Sequence, residues 1–167
     1  MADFDPTTFR AVLGHLPTGV TIVTGMREST PIGFTIGSFT SVSLEPPLVG
    51  FLPMIESETW AALAPSGNFC VNVLHHDQGE LCWRFARLGI DDGRFDDVEW
   101  TMSPTGSPII DGSIAWIDCT VEQVHEMGDH YFVLGRVAAL AHADAGDHVP
   151  LVFFRGQLGG FFIPEAS

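Results

Sequence analysis

The chain has 167 residues and no lysine; seven arginines stand against 21 aspartates and glutamates, a formal charge of −14. A field of that sign repels nucleic acid and anionic lipid, so neither is expected as a partner. Cysteine is also scarce. Cys70, Cys82 and Cys119 are odd in number, widely spaced and without a Cys-x-x-Cys pair, so a zinc knuckle and a dithiol redox site are both excluded. Three ordinary buried thiols are the expectation. No apolar run approaches the ~20 residues that cross a bilayer. The start, Met1-Ala2-Asp3-Phe4-Asp5-Pro6, is acidic and lacks the apolar stretch of a secretory signal, which points to the cytoplasm. Gly-x-Gly-x-x-Gly, the P-loop and the Gly-x-Ser-x-Gly elbow are missing as well, which removes the common nucleotide-binding and hydrolase signatures.

What is present is apolar. Hydrophobic residues make up 46% of the chain, enough for one full-sized core, so residues 1–167 read as a single domain. The apolar excess suits a subunit interface, and a homodimer is expected.

Local signals give mostly strands. Asp5 and Pro6 start a helix whose face carries Phe9, Val12, Leu13 and Leu16, and Pro17 ends it. Residues 18–24 are β-branched and read as a strand, residues 25–31 as a polar turn, and residues 32–38 as the returning strand. Pro46-Pro47 precedes a short strand at 48–52. Ser57 caps a helix through Leu63, and residues 68–74 resume as strand. Asp77 and Glu80 have capping-box spacing for a helix over 78–87. Residues 88–108 read as a long surface loop with one strand at 98–102. Residues 114–124 alternate, Gly128-Asp129 turns the chain, residues 131–140 return, and strands at 151–155 and 158–163 complete the set. Many short antiparallel strands with two or three helices predict a closed barrel or a sandwich.

Residues 33–49 are the most informative stretch. A strand-like run ends in Gly37, Ser38, Thr40, Ser41 and Ser43, then passes Pro46-Pro47 into a second apolar run. Hydroxyls and free backbone N–H groups at a strand end can hold a planar, anionic ligand without basic side chains, though a solvated sheet edge accounts for them equally well. Ser57 beside Thr59 could meet an anion or simply cap its helix, and Glu56 and Glu58 would repel a phosphate there. His130, next to Asp129 at a tight turn, is either structural or part of a site. His75-His76-Asp77 and His125 with His130 lack a recognised metal spacing, and no metal is assigned. Arg84 and Arg155, scarce cations in an acidic chain, have a claim beyond surface pairing. No nucleophile with a base beside it is visible, so a cofactor that carries the chemistry itself fits better than hydrolysis.

Six segments in order resemble the flavin reductase family with the FMN-binding split-barrel fold, the small reductase partners of two-component flavin-dependent monooxygenases. They are residues 18–24, 38–49, 69–74, 84–86, 128–130 and 150–156, and the likeness spans about Phe9 to Gly160. The residues Phe51-Leu52-Pro53, Ser57 and Thr59-Trp60 are similar to the subgroup serving aromatic-ring and steroid-ring hydroxylases. The resemblance implies a mainly β, dimeric split barrel and an NAD(P)H:flavin oxidoreductase, with FMN or FAD bound and NADH or NADPH as co-substrate. It implies a separate oxygenase that receives the reduced flavin. Ile36, Gly37, Ser38, Phe39, Thr40 and Ser43 would line the flavin ring and ribityl chain, Ser57 and Thr59 would meet its phosphate, and Arg84 and Phe85 would lie close by. His130, in the catalytic role, and Phe153, Phe154, Arg155 and Gly156 would border the nicotinamide nucleotide. Gly37 and Glu58 depart from relatives, which often carry Asn and Arg there. The alternative is a flavin- or deazaflavin-binding split-barrel carrier or oxidase without reductase turnover.

Overall fold

Ile22 and Val23 are chain neighbours, both fully buried, yet they face different cores. The period-two alternation of a strand produces this, and it shows a sheet covered on both faces. The computed structural model describes residues 5–87, 89–90, 93–143 and 148–163. The strands are β1 (Thr18–Gly19), β2 (Thr21–Arg27), β3 (Thr30–Ile36), β4 (Thr40–Ser43), β5 (Leu48–Phe51), β6 (Asn68–Val73), β7 (Trp100–Met102), β8 (Pro108–Ile110), β9 (Ala115–Met127), β10 (His130–His142), β11 (Leu151–Phe154) and β12 (Gln157–Gly160). The helices are α1 (Pro6–Leu13), α2 (Glu58–Leu63) and α3 (Gly79–Phe85). None of them is long and apolar enough to cross a membrane.

The main sheet has seven strands in the order β3-β2-β6-β9-β10-β5-β4, paired antiparallel throughout. Its two edges, β3 and β4, are consecutive in the chain and joined only by Gly37, Ser38 and Phe39. A flat sheet of this size is roughly 29 Å across, whereas such a linker reaches about 15 Å. The sheet must therefore curl until its edges meet. They meet without pairing, so the barrel stays split along that seam, and the expected closed barrel is corrected to an open one among the described residues. A smaller sheet, β1-β11-β12, is tied to the first by three backbone hydrogen bonds: Val20 N to Leu151 O (3.0 Å), Leu74 N to Val20 O (3.2 Å) and Leu151 N to Leu74 O (2.9 Å). Val20 thus divides the strand expected at 18–24 between two sheets.

Inside the curl, Phe51 packs edge-on against Phe34, Trp60 and Phe69, at centroid distances of 6.2, 5.7 and 5.1 Å. Each fully buried ring of this kind contributes roughly 2–3 kcal/mol from area alone. On the outer face Ile22, Leu74, Phe85, Ile110 and Leu151 form the second core under α3. Thr35 Oγ1 donates to Cys82 O (2.7 Å) and docks α3 on β3.

Several boundaries move. Helix α1 stops at Leu13, before Pro17, because proline disfavours the α conformation in the residue before it and the last turn unwinds early. Its apolar residues Phe9, Val12 and Leu13, and Leu16 just beyond it, are 52–66% exposed. The turn expected at 25–31 shrinks to Glu28 and Ser29, with Glu28 at φ +57. The capping box uses His75 and Gln78, two residues earlier than Asp77 and Glu80, around a 3-10 turn at His76–Gln78 that precedes α3. The β9–β10 hairpin runs longer than the alternation suggested, as far as the two-residue turn at Gly128 (φ +67) and Asp129.

Positions 88, 91 and 92 of the segment expected as a surface loop lie outside the described residues; from Trp100 onward it is anchored. β7 and β8 form a hairpin whose loop is held from beneath by Asp118, buried and accepting from Ser103 Oγ (2.7 Å), Thr105 N (2.8 Å) and Thr105 Oγ1 (2.6 Å). Asn72, also buried, accepts from Ile110 N (2.8 Å) and donates to Ile22 O, Thr24 Oγ1 and Pro108 O. Both lie on strands that read as plain apolar alternation, so their partners could not be foreseen from local pattern.

Candidate functional site

The seam between the sheet edges opens into a pocket of about 760 Å³. That falls within the ~300–1,000 Å³ usual for small-molecule and cofactor sites. One wall is the end of β3 and the turn after it, from Phe34 to Ser38; the opposite wall is the chain leaving β5, from Leu52 through Glu56 to the first turn of α2. Phe85, Ala86, Arg87, Gly89 and Arg94 close a third side, and His130 stands at the mouth.

The two main walls are lashed together by Ser38. Its Oγ accepts from Leu52 N (2.9 Å) and donates to Leu52 O (3.3 Å), so this hydroxyl shapes the pocket before any ligand enters. Gly37 lies against Thr18: a Cβ at Gly37 would sit 3.2 Å from Thr18 Oγ1, so a larger residue would press on β1. Ser57 Oγ accepts from Trp60 N (3.2 Å) as the cap of α2. Thr59 is 5% exposed, and its Oγ1 meets Arg94 Nη1 at 3.2 Å.

His130 is fixed from both sides. Tyr131 N donates to Pro53 O (2.9 Å) and Ile55 N to Asp129 O (3.0 Å), so the hairpin turn is bound to the wall beside it. Asp129 Oδ1 lies 2.7 Å from His130 Nδ1. The hydrogen bond from His130 holds the Asp129 carboxyl below its ordinary range. With Nδ1 donating to that carboxylate, Nε2 is the ring nitrogen available to a ligand.

Of the residues singled out in the sequence, Ile36, Gly37, Ser38, Ser57, Thr59, Phe85 and His130 line this pocket. The others sit elsewhere. Phe39 packs against the inner core. Thr40 and Ser43 lie on edge strand β4, where Thr40 Oγ1 bonds Ser41 O (3.2 Å). Arg84 Nη1 donates to Asp96 O (2.7 Å), away from the pocket. Phe153 and Phe154 are on β11, and Arg155 and Gly156 turn it into β12 with φ of +51 and +79. That corner adjoins the pocket through Thr18, which pairs with Phe153 and backs Gly37. Sequence reasoning missed Arg94 and Met54, and quoted Leu52-Pro53 as a mark of resemblance without giving it a place in the site; the scarcity of cations was the available signal for Arg94.

Two other features lie apart from the seam. His75, His76 and Asp77 bring one potential ligand atom each within 4.8 Å of one another, but their hydrogen bonds close the 3-10 turn. A concavity of about 710 Å³ is bordered by β7, β8 and the ends of β9 and β10. Cys70, Cys82 and Cys119 are buried and free; burial, then Asp118, pushes the Cys119 thiol up to about 12 and Cys70 in the same direction. Neither is a nucleophile at neutral pH.

The pocket fits a flavin. It joins an apolar floor at Phe34 and Ile36 to the Thr59 hydroxyl, which Arg94 holds in place, and Gly37 leaves the strand end bare. The family model of the flavin reductase like domain matches residues 13–161. The chain is 49% identical over 156 residues to the flavin-dependent monooxygenase reductase subunit HsaB of Rhodococcus jostii (strain RHA1), covering 93% of this chain and 78% of that one. Nitrilotriacetate monooxygenase component B from Mycobacterium thermoresistibile superposes with a TM-score of 0.89 at 47% identity, over 93% of this chain and 86% of that one. The NADH:FAD oxidoreductase SgcE6 of Streptomyces globisporus C-1027, solved in complex with NAD and FAD fragments, superposes with a TM-score of 0.87 at 34% identity, over 100% of both chains.

Proposed function

Because the chain belongs to the flavin reductase like domain family, we propose that it is an NADH-dependent flavin reductase whose reduced product serves a separate monooxygenase component. The carrying observation is the seam pocket, which pairs an apolar floor with a fixed histidine at its mouth. A bound flavin supplies the redox chemistry, taking a hydride from the nicotinamide of NADH. Relatives are named for FMN and for FAD, and this chain takes flavin of that class.

The protein's own tasks are placement and exclusion of water. Ile36 and Gly37 at the end of β3 would form the surface for a planar ring, with the chain at Phe85 and Ala86, where α3 ends, closing the side of the pocket. Thr59 and Ser57, at the first turn of α2, would hold the ribityl phosphate. His130, held by Asp129, presents Nε2 at the mouth, where it would orient the carboxamide of the incoming nicotinamide. Hydride transfer needs the reacting atoms ~3–3.5 Å apart and aligned, and no protein nucleophile. A rigid wall and an open mouth meet that need and let the product leave. The side chains of Glu56 and Glu58 beside the pocket, within a chain of charge −14, disfavour the extra phosphate of NADPH.

The functional unit in this reading is a cytoplasmic homodimer. Its support is the exposed apolar face of α1 together with Phe154, Phe161, Phe162 and Ile163, a surface a lone copy would leave in water. Steady loss of NADH absorbance in air, dependent on added FMN or FAD, tests the reading. Flavin binding without NADH consumption would assign a carrier in its place.

A further inference from the structure

Arg94 is 5% exposed, in a chain with only seven cations. A guanidinium is costly to bury unless its N–H groups find acceptors. Here they come from three sides of the pocket. Nη1 donates to Gly33 O of β3 (2.8 Å) and to Thr59 Oγ1 of α2 (3.2 Å), and Nη2 donates to the carbonyls of Arg87 and Gly89 beyond α3.

Two consequences follow from donor and acceptor roles. Three backbone carbonyls are turned onto the guanidinium, so these oxygens do not face an anionic ligand. A threonine hydroxyl is ambivalent by itself, able to donate or accept. With its oxygen accepting from Arg94, the remaining directional group of Thr59 is its proton. Among the described residues the acceptor it reaches is Gly89 O at 3.5 Å, at the limit of a hydrogen bond and already taking Nη2. Thr59 is thereby set to donate. A phosphate dianion only accepts, whereas the terminal hydroxyl of riboflavin does both. Glu56 and Glu58 border the same wall and oppose an anion, so a fixed donor there has a selective effect.

We propose that Arg94 is a positioning residue: by making Thr59 an obligate donor it gives the pocket its preference for phosphorylated flavin over riboflavin. The proposal rests on the flavin reading above. The test is the ratio of FMN to riboflavin affinity, measured by fluorescence quenching for the wild type, Thr59→Val, Thr59→Ser and Arg94→Lys. Wild type should favour FMN. Thr59→Val, which keeps the shape and removes the hydroxyl, should weaken FMN about tenfold, the equivalent of ~1.4 kcal/mol, and leave riboflavin within about twofold. Thr59→Ser should keep the wild-type ratio. Arg94→Lys retains the charge but not the planar fork, and should lose the selectivity, with Arg94→Lys/Thr59→Val no worse in ratio than the more severe single variant. Equal weakening of both flavins in Thr59→Val, or an unchanged ratio there, overturns the proposal even if Arg94→Lys does not fold. An unchanged ratio in folded Arg94→Lys also overturns it. If the wild type binds neither flavin, the functional reading fails and carries this one with it; if it binds both, only the positioning role is at stake.

Discussion

Ser38 offers the sharpest perturbation of the pocket. The sequence leaves its hydroxyl open between a ligand group and a residue of the sheet edge; in the structure it joins the two walls at Leu52. Ser38→Ala removes one good hydrogen bond, from Leu52 N at 2.9 Å, and one long one, to Leu52 O at 3.3 Å. A net loss near 1 kcal/mol is usual for one such bond, and an amide left partly buried without a partner adds about 1 kcal/mol more. The expected destabilisation is therefore about 1–2 kcal/mol, and in a domain of this size that lowers Tm by roughly 3–6 °C. Because the lash fixes pocket shape rather than touching phosphate, FMN and riboflavin should both weaken, by similar factors of about five- to tenfold. Thermal melts and quenching titrations on one preparation read both effects. Unchanged Tm with a large affinity loss would refute the reasoning, since it would mean that the hydroxyl contacts the ligand directly. A lowered Tm with full affinity would equally show that the pocket does not need this tie.

Three further outcomes are expected. His130→Ala should raise the KM for NADH or slow flavin reduction while leaving flavin affinity near wild type, and steady-state and stopped-flow kinetics separate these; unchanged kinetics would remove His130 from the site. Asp118→Ala leaves the Ser103 and Thr105 donors without their acceptor in a buried position and should cost about 3–4 kcal/mol in urea unfolding; a loss below 1 kcal/mol would show that the β7–β8 loop repacks freely. The Cys119 thiol, raised from 9.0 to about 12, stays neutral in the fold while the unfolded chain ionises near 9, so stability falls as pH rises between those values. The slope approaches ~1.4 kcal/mol per pH unit for that thiol. Cys119→Ala should flatten it in urea melts above pH 9.0, and no difference in slope would contradict the burial argument.

Much of the architecture was legible because the signals were local. β-Branched residues at 21–24 and 68–73, the Gly128-Asp129 turn and Ser57 before α2 each decide their own neighbourhood. The pocket followed in outline from Ile36, Gly37 and Ser38, where a strand ends in small residues. What local reading missed depends on distant partners. Thr40 and Ser43 stand on edge strand β4, outside the lining of the seam pocket, a placement that depends on strand order rather than on local pattern. Arg84 and Arg94 are both arginines near acidic residues; one bonds a loop carbonyl and the other is drawn inside by Gly33 and Thr59, residues 61 and 35 positions away. Asn72 and Asp118 anchor a hairpin whose burial no alternation could reveal. Curling of the sheet could have been inferred, since a three-residue link between its two edges leaves no other geometry, but only once the strand order was known.

The most direct test of the account is the position of the flavin itself. A crystal of the protein grown with FMN should show the ring in the seam, against Ile36 and Gly37, with its phosphate toward Thr59 and its open face toward His130. Density for the ring on another surface, or a seam closed by the protein's own side chains beside bound FMN, would contradict it.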